Sequence, residues 1–123
     1  MKNLSLIGSI IFLLLSLSQT LAHPADSIEI SFDSSSTLTI KIHHPVKKFP
    51  SDHYINQVTV KLNDKEIIKQ IFKTQTNREW QNVIYTVIDA KPGDKIIVTA
   101  LCSLFGKMTE TLVLSKPKVE SEK

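Results

Sequence analysis

Four histidines and one cysteine are the side chains of this 123-residue chain best suited to bind a metal. The histidines are His23, His43, His44 and His53, and the cysteine is Cys102. Imidazole nitrogens together with a thiolate suit iron, copper or zinc. Two simpler interpretations stay open at this point, namely histidines at the surface and a cysteine that packs as a small apolar side chain.

The alternation of apolar residues indicates where two of these side chains point. His44 is in step with the apolar positions of the segment before it, which are Leu38, Ile40 and Ile42. Since side chains of a strand alternate between its two faces, His44 is expected to point inward and His43 toward solvent. Pro45 ends the strand directly afterwards, which places His44 at the rim of a sheet. The pattern around His53 is mixed and leaves its direction open.

Cys102 ends the clearest predicted strand. A Pro92-Gly93 turn precedes that strand, and Cys102 shares one of its faces with Ile96, Val98 and Ala100. Gly106 then lets the chain reverse into the next strand. The thiol is therefore expected where an apolar face meets a turn.

Short alternating segments follow one another along the whole chain after the first 22 residues. The predicted strands are Ser27–Phe32, Thr37–Ile42, Gln57–Leu62, Glu66–Phe72, Trp80–Ile88, the segment from Ile96 to Cys102, and Met108–Ser115. Glu66–Phe72 would also suit a helix, but the tight Asn63-Asp64 turn before it favours a strand. The sequence predicts an all-β fold, an immunoglobulin-like antiparallel β-sandwich of about seven strands.

Residues 1–22 have the features of a signal peptide. An apolar stretch runs from Leu6 to Leu17, and Thr20-Leu21-Ala22 offers small residues for cleavage. We expect an exported protein, periplasmic or secreted, with residues 23–115 as one domain and 116–123 as a disordered charged tail. The apolar stretch is short for a membrane span, although a retained anchor is the alternative.

The net charge is +3, and the lysines are scattered along the chain. This distribution gives no support to nucleic-acid binding. One cysteine excludes a disulfide within the chain, so the thiol is free, pairs with another chain in a homo-oligomer, or binds a metal.

Several segments, taken in order, resemble the superoxide reductase family, that is, the iron-binding domains of neelaredoxin and desulfoferrodoxin. They are His44-Pro45, His53-Tyr54-Ile55, the run from Val58 to Asn63, Lys91-Pro92-Gly93-Asp94, and the run from Ala100 to Gly106. The resemblance extends over the whole region after residue 22. It implies an immunoglobulin-like sandwich that holds one non-haem iron between four histidines and an axial cysteine.

The family's ligands carry over to this chain only in part. The resemblance assigns His44, His53 and Cys102 as ligands, with His23 as the candidate for the first histidine. Phe105 stands where the family has its last histidine, and a phenyl ring cannot bind a metal in this way.

The resemblance implies that superoxide is the substrate, reduced by one electron from ferrous iron, which an unidentified electron donor then restores. Lys47 or Lys48 would attract the anion, although solvated loop lysines are the simpler interpretation. The altered ligand set leaves a second function open, a binding or carrier module that has lost the iron. Copper is a further metal to consider, because cleavage after Ala22 would give His23 a free amine beside its imidazole.

Overall fold

A computed structural model describes residues 23–116 of the chain. These residues form seven strands: β1 (Ser27–Phe32), β2 (Thr37–His43), β3 (Ile55–Leu62), β4 (Lys65–Ile71), β5 (Trp80–Thr86), β6 (Lys95–Cys102) and β7 (Lys107–Val113). Within this range no helix is long and apolar enough to cross a membrane. The predicted signal peptide and all but Lys116 of the predicted tail lie outside the described residues.

The strands form two antiparallel sheets. One sheet has the order β1-β2-β5 and the other the order β4-β3-β6-β7. Apolar side chains from the two sheets pack against each other, as in a β-sandwich. The all-β sandwich prediction is confirmed, and its immunoglobulin-like character stays a prediction.

The core consists of the alternate residues that the sequence pattern predicts to point inward. The fully buried Leu, Ile and Val side chains of its central strands are Leu38, Ile40 and Ile42 in β2, Ile55, Val58 and Val60 in β3, and Ile96 and Val98 in β6. Burying an aliphatic side chain of this size stabilises a fold by about 1.5–3 kcal/mol. Three adjacent runs of this kind fix which face of each central strand points inward, because a slip of one residue would expose all of them.

Two strands end two residues earlier than their sequence pattern predicts. β5 ends at Thr86 and β7 at Val113, whereas apolar alternation continues to Ile88 and Leu114. Val87 stays buried, but its N–H donates to the carbonyl of Ser36 in the β1–β2 turn. Inward and outward side chains therefore still alternate after β5 has ended, although the hydrogen bonds of the sheet do not continue there.

Asp94 joins two turns at the end of the sandwich where β6 begins. Its carboxylate accepts hydrogen bonds from the backbone N–H of Lys91 at 2.8 Å and from the Asn63 amide at 3.2 Å. The side-chain oxygen Oδ1 of Asn63 in turn accepts from the N–H of Lys95. The bond from Lys91, followed by that from Asn63, lowers the pKa of Asp94 below its usual value.

Asp94→Asn is expected to make the free energy of unfolding less dependent on pH in acid. Because the pKa of Asp94 is lower in the folded chain than in the unfolded chain, its stabilisation is complete above pH about 4 and is lost as the pH falls through the folded-state pKa. Urea unfolding at several pH values between 2 and 7 would measure this. Asp64→Asn, at an exposed position of the β3–β4 turn, is the control. An equal change in both variants would contradict the role of Asp94.

Candidate metal centre

His44 follows β2 directly and continues its inward-facing row. Its N–H donates to the carbonyl of Glu79 at 2.8 Å, and the N–H of Val46 donates to that of Arg78 at 2.9 Å. These bonds hold residues 44–46 beside the segment that leads into β5, although β2 itself ends at His43. The His44 side chain is fully buried, as its place in the alternation predicts.

His53 is held against the end of β6. The N–H of Tyr54 donates to the Ser103 hydroxyl at 3.0 Å, and the N–H of Ser103 donates to the Tyr54 carbonyl at 2.8 Å. This reciprocal pair of bonds places His53 Nδ1 3.9 Å from Cys102 Sγ. The thiol is free and 8 % exposed, on the inward face of β6 as predicted.

His23 lies just before β1, at the same end of the sandwich. The N–H of Asp26 donates to the His43 carbonyl at 2.8 Å, which fixes the start of the β1–β2 ladder. Pro24 packs directly on Gly106, because a β-carbon added to that glycine would lie 2.7 Å from the Pro24 nitrogen. Gly106 has φ of +98°, a conformation that glycine adopts without strain. The β6–β7 turn therefore supports the segment that carries His23.

These segments bring three imidazoles together. One ligand nitrogen each from His23, His44 and His53 lies within 4.8 Å of the others. The ring centroids are 4.6 Å apart for His23 and His44, 5.3 Å for His44 and His53, and 5.5 Å for His23 and His53. The three histidines lie close enough to bind one metal ion.

The donor atoms fit the spacing of a metal site with small adjustments. Metal–nitrogen bonds of about 2.0–2.1 Å and metal–sulfur bonds of about 2.3 Å place ligand atoms roughly 3–4 Å apart. The contact between Cys102 and His53 is within that range, and the three nitrogens are separated by at most 4.8 Å. The three imidazoles therefore form the cluster, and Cys102 adjoins it through its contact with His53.

Burial lowers the pKa of His44. Hydrogen bonds to Gln75 and to the His23 carbonyl raise the pKa, but they do so by less than burial lowers it. The neighbouring imidazoles of His23 and His53 lower the pKa further. The neutral form of His44 is therefore favoured. Neutral imidazole is the form that binds a metal.

The imidazoles of His23 and His44 meet more acceptors than they have hydrogens. His23 Nδ1 is 2.7 Å from the Pro24 carbonyl and its Nε2 is 3.1 Å from the Pro45 carbonyl. His44 Nε2 is 3.0 Å from the His23 carbonyl, and its Nδ1 contacts Gln75 Oε1. A neutral imidazole carries one N–H, so two of these four contacts bring a lone pair against an oxygen. A cation at the cluster would offset this repulsion.

The remaining residues singled out in the sequence lie outside this cluster. His43 points to the other face, 3.4 Å from the Asp26 carboxylate, and its ring is tilted against that of Trp80 with the centroids 4.7 Å apart. Lys47 and Lys48 are exposed in the loop that follows Val46. Phe105 is 66 % exposed in the β6–β7 turn.

Sequence reasoning missed Gln75, which is 3 % exposed and contacts the His44 ring. It lies in an irregular polar segment between β4 and β5, where no alternation marks a residue as inward-pointing. A buried glutamine among polar neighbours leaves no signal in a single sequence.

Comparison with known proteins finds no matching family model, no matching curated protein and no matching solved structure.

Gly106→Ala is expected to destabilise the fold by about 1–3 kcal/mol and to weaken zinc binding at least tenfold, because the new methyl group would push Pro24, and His23 with it, out of place. Gly93→Ala is the matched control. Gly93 has a similar φ of +93°, but an added β-carbon there meets only the end of the Lys116 side chain, at 3.6 Å. The control is expected to lose about 1 kcal/mol and no metal affinity. Chemical unfolding and calorimetric titration with Zn²⁺ measure both quantities, and equal affinities in the two variants would contradict the role of the Pro24–Gly106 contact.

Proposed function

We propose that this chain is an exported protein that binds one metal ion through His23, His44, His53 and Cys102. The observation that carries the proposal is the meeting of three imidazole nitrogens within 4.8 Å, with a thiol 3.9 Å from one of them. A bound cation offsets the lone-pair contacts at His23 and His44.

The donor set favours a transition metal. Three imidazoles and one thiolate suit iron, copper or zinc. Among these, iron is the metal that the resemblance to superoxide reductases implies. Copper is the less favoured choice, since it needs the amine of a processed N-terminus at His23 to complete its ligands.

The activity we propose is the reduction of superoxide to hydrogen peroxide. Superoxide takes up one electron and two protons in this reaction, and bound ferrous iron would supply the electron while a one-electron reductant restores it. The Cys102 thiolate would donate electron density to the metal and so favour this electron transfer. Lys47 and Lys48, exposed in the loop after His44, would raise the local concentration of the anion.

Phe105 favours a second candidate function. The family's fourth histidine is replaced here by an apolar side chain that is 66 % exposed in the β6–β7 turn. A centre with one imidazole fewer has a different affinity for iron and a different potential. The second candidate is therefore a sandwich that binds or carries another molecule without redox chemistry.

Iron loading of the natural protein tests the metal site first. Ferrous iron added without oxygen is expected to bind at one ion per chain, and oxidation is expected to produce a thiolate-to-iron absorption band. Cys102→Ser removes the soft ligand with little change of shape, so the band should disappear and the affinity should fall at least tenfold. Absence of bound iron in the natural protein would contradict the iron proposal, and zinc bound in its place would support a centre without redox chemistry.

Phe105→His tests whether the missing ligand limits turnover. The position is exposed, so the change is expected to leave stability within about 0.5 kcal/mol. It is also expected to raise iron affinity and the rate of superoxide reduction, because the resemblance places the missing histidine ligand at this position of the turn that follows Cys102. Leu104→His, at the neighbouring exposed position, is the control. Superoxide decay after a radiolytic pulse measures the rate. A natural protein that binds iron and leaves superoxide decay unchanged would favour the second candidate function.

A further inference from the structure

Gln75 is the one glutamine of the described chain that contacts a ring of the histidine cluster, and all of its hydrogen-bonding capacity is used. Its amide nitrogen donates to the His44 carbonyl at 3.0 Å and to the Asn77 carbonyl at 3.1 Å. Its carbonyl oxygen accepts the N–H of Ile55 at 3.0 Å and contacts His44 Nδ1. A single buried side chain thus joins the segments that carry His44 and His53.

These partners fix the orientation of the Gln75 amide. A flipped amide would direct its NH₂ group against the N–H of Ile55 and its oxygen against two carbonyls. Three bonds would then become repulsive contacts. The atom that faces His44 is therefore the oxygen, which can only accept a hydrogen.

We infer that Gln75 is a positioning residue that holds His44 in the Nδ1–H tautomer and so leaves Nε2 as the nitrogen that binds the metal. A neutral imidazole has one N–H, and both ring nitrogens of His44 face an oxygen. The hydrogen is assigned to Nδ1, because the contact with Gln75 is shorter than the contact of Nε2 with the His23 carbonyl. Nε2 then carries the lone pair, 3.0 Å from the His23 carbonyl at the cluster. Histidine ligands commonly donate their second nitrogen to an acceptor in this way, which raises their basicity and fixes the ring. The inference rests on the proposed metal site for its consequence, but the tautomer is a property of the metal-free protein.

Gln75 also fixes the backbone around the ring. Its bond to the His44 carbonyl holds the residue that carries the ring, and its bond to Ile55 holds the start of β3, two residues after His53. The neighbouring Thr76 is secured separately, since its N–H and hydroxyl both donate to Gln81 Oε1. A second buried glutamine in the same region therefore supports the loop without touching a ligand.

The tautomer of His44 in the metal-free protein tests the inference directly. Long-range proton–nitrogen correlation spectra of histidine-labelled protein, recorded at a pH where the ring is neutral, are expected to show a hydrogen on Nδ1 and none on Nε2. Gln75→Met has a similar volume and no acceptor, so His44 should move toward the Nε2–H form and zinc affinity should fall 10- to 100-fold. Gln81→Met, which removes the other buried amide, should leave the tautomer unchanged and zinc affinity within about threefold.

Gln75→Glu keeps an acceptor for Nδ1–H, so His44 is expected to stay in the Nδ1–H form. The second carboxylate oxygen would face the carbonyls of His44 and Asn77, so the variant is expected to be less stable than the natural protein. An Nε2–H tautomer in the natural protein would overturn the inference, as would equal tautomers and affinities in the Gln75→Met and Gln81→Met variants. Failure of the proposed function would give a different result. In that case no metal binds to the natural protein, and Gln75 loses its role at a metal site even if Gln75→Met changes the tautomer of His44.

Discussion

The alternation of side chains along β2 is the constraint on which both the core and the candidate site depend. Leu38, Ile40 and Ile42 are fully buried between the sheets, and His44 occupies the next inward position. The same period that packs the core therefore drives an imidazole into it. Burying such a polar ring without partners costs about 1–3 kcal/mol, so the structure must supply them. Gln75 and the carbonyl of His23 lie at its two nitrogens.

Contacts between residues outside the strands bring His23 and His53 to the cluster. His53 is fixed by the hydrogen bonds between Tyr54 and Ser103, and His23 by the close approach of Pro24 to Gly106. Both supports come from the β6–β7 turn, directly after the strand that ends in Cys102. The turn therefore supports the segments that carry two of the imidazoles, and one of these, His53, contacts the thiol.

The surroundings of the cluster suit a cation better than neutral rings alone. Burial favours uncharged His44, while carbonyl oxygens lie close to nitrogens of both His23 and His44. Partial burial at the end of the sandwich strengthens the interaction of these oxygens and lone pairs with a positive charge, compared with the same groups in water. The same carbonyl oxygens that orient the imidazoles of His23 and His44 would therefore also attract a bound cation.

The sequence by itself determined the seven strands and the inward direction of His44 and Cys102, because a period of two residues is a local property of a strand. The spacing of the histidines alone did not predict which of them would meet. Only the tertiary structure decided how His23 and His53 reach His44 and that Gln75 lies behind its ring. These residues occupy irregular segments without periodicity, and their directions follow from contacts with residues tens of positions away in the chain.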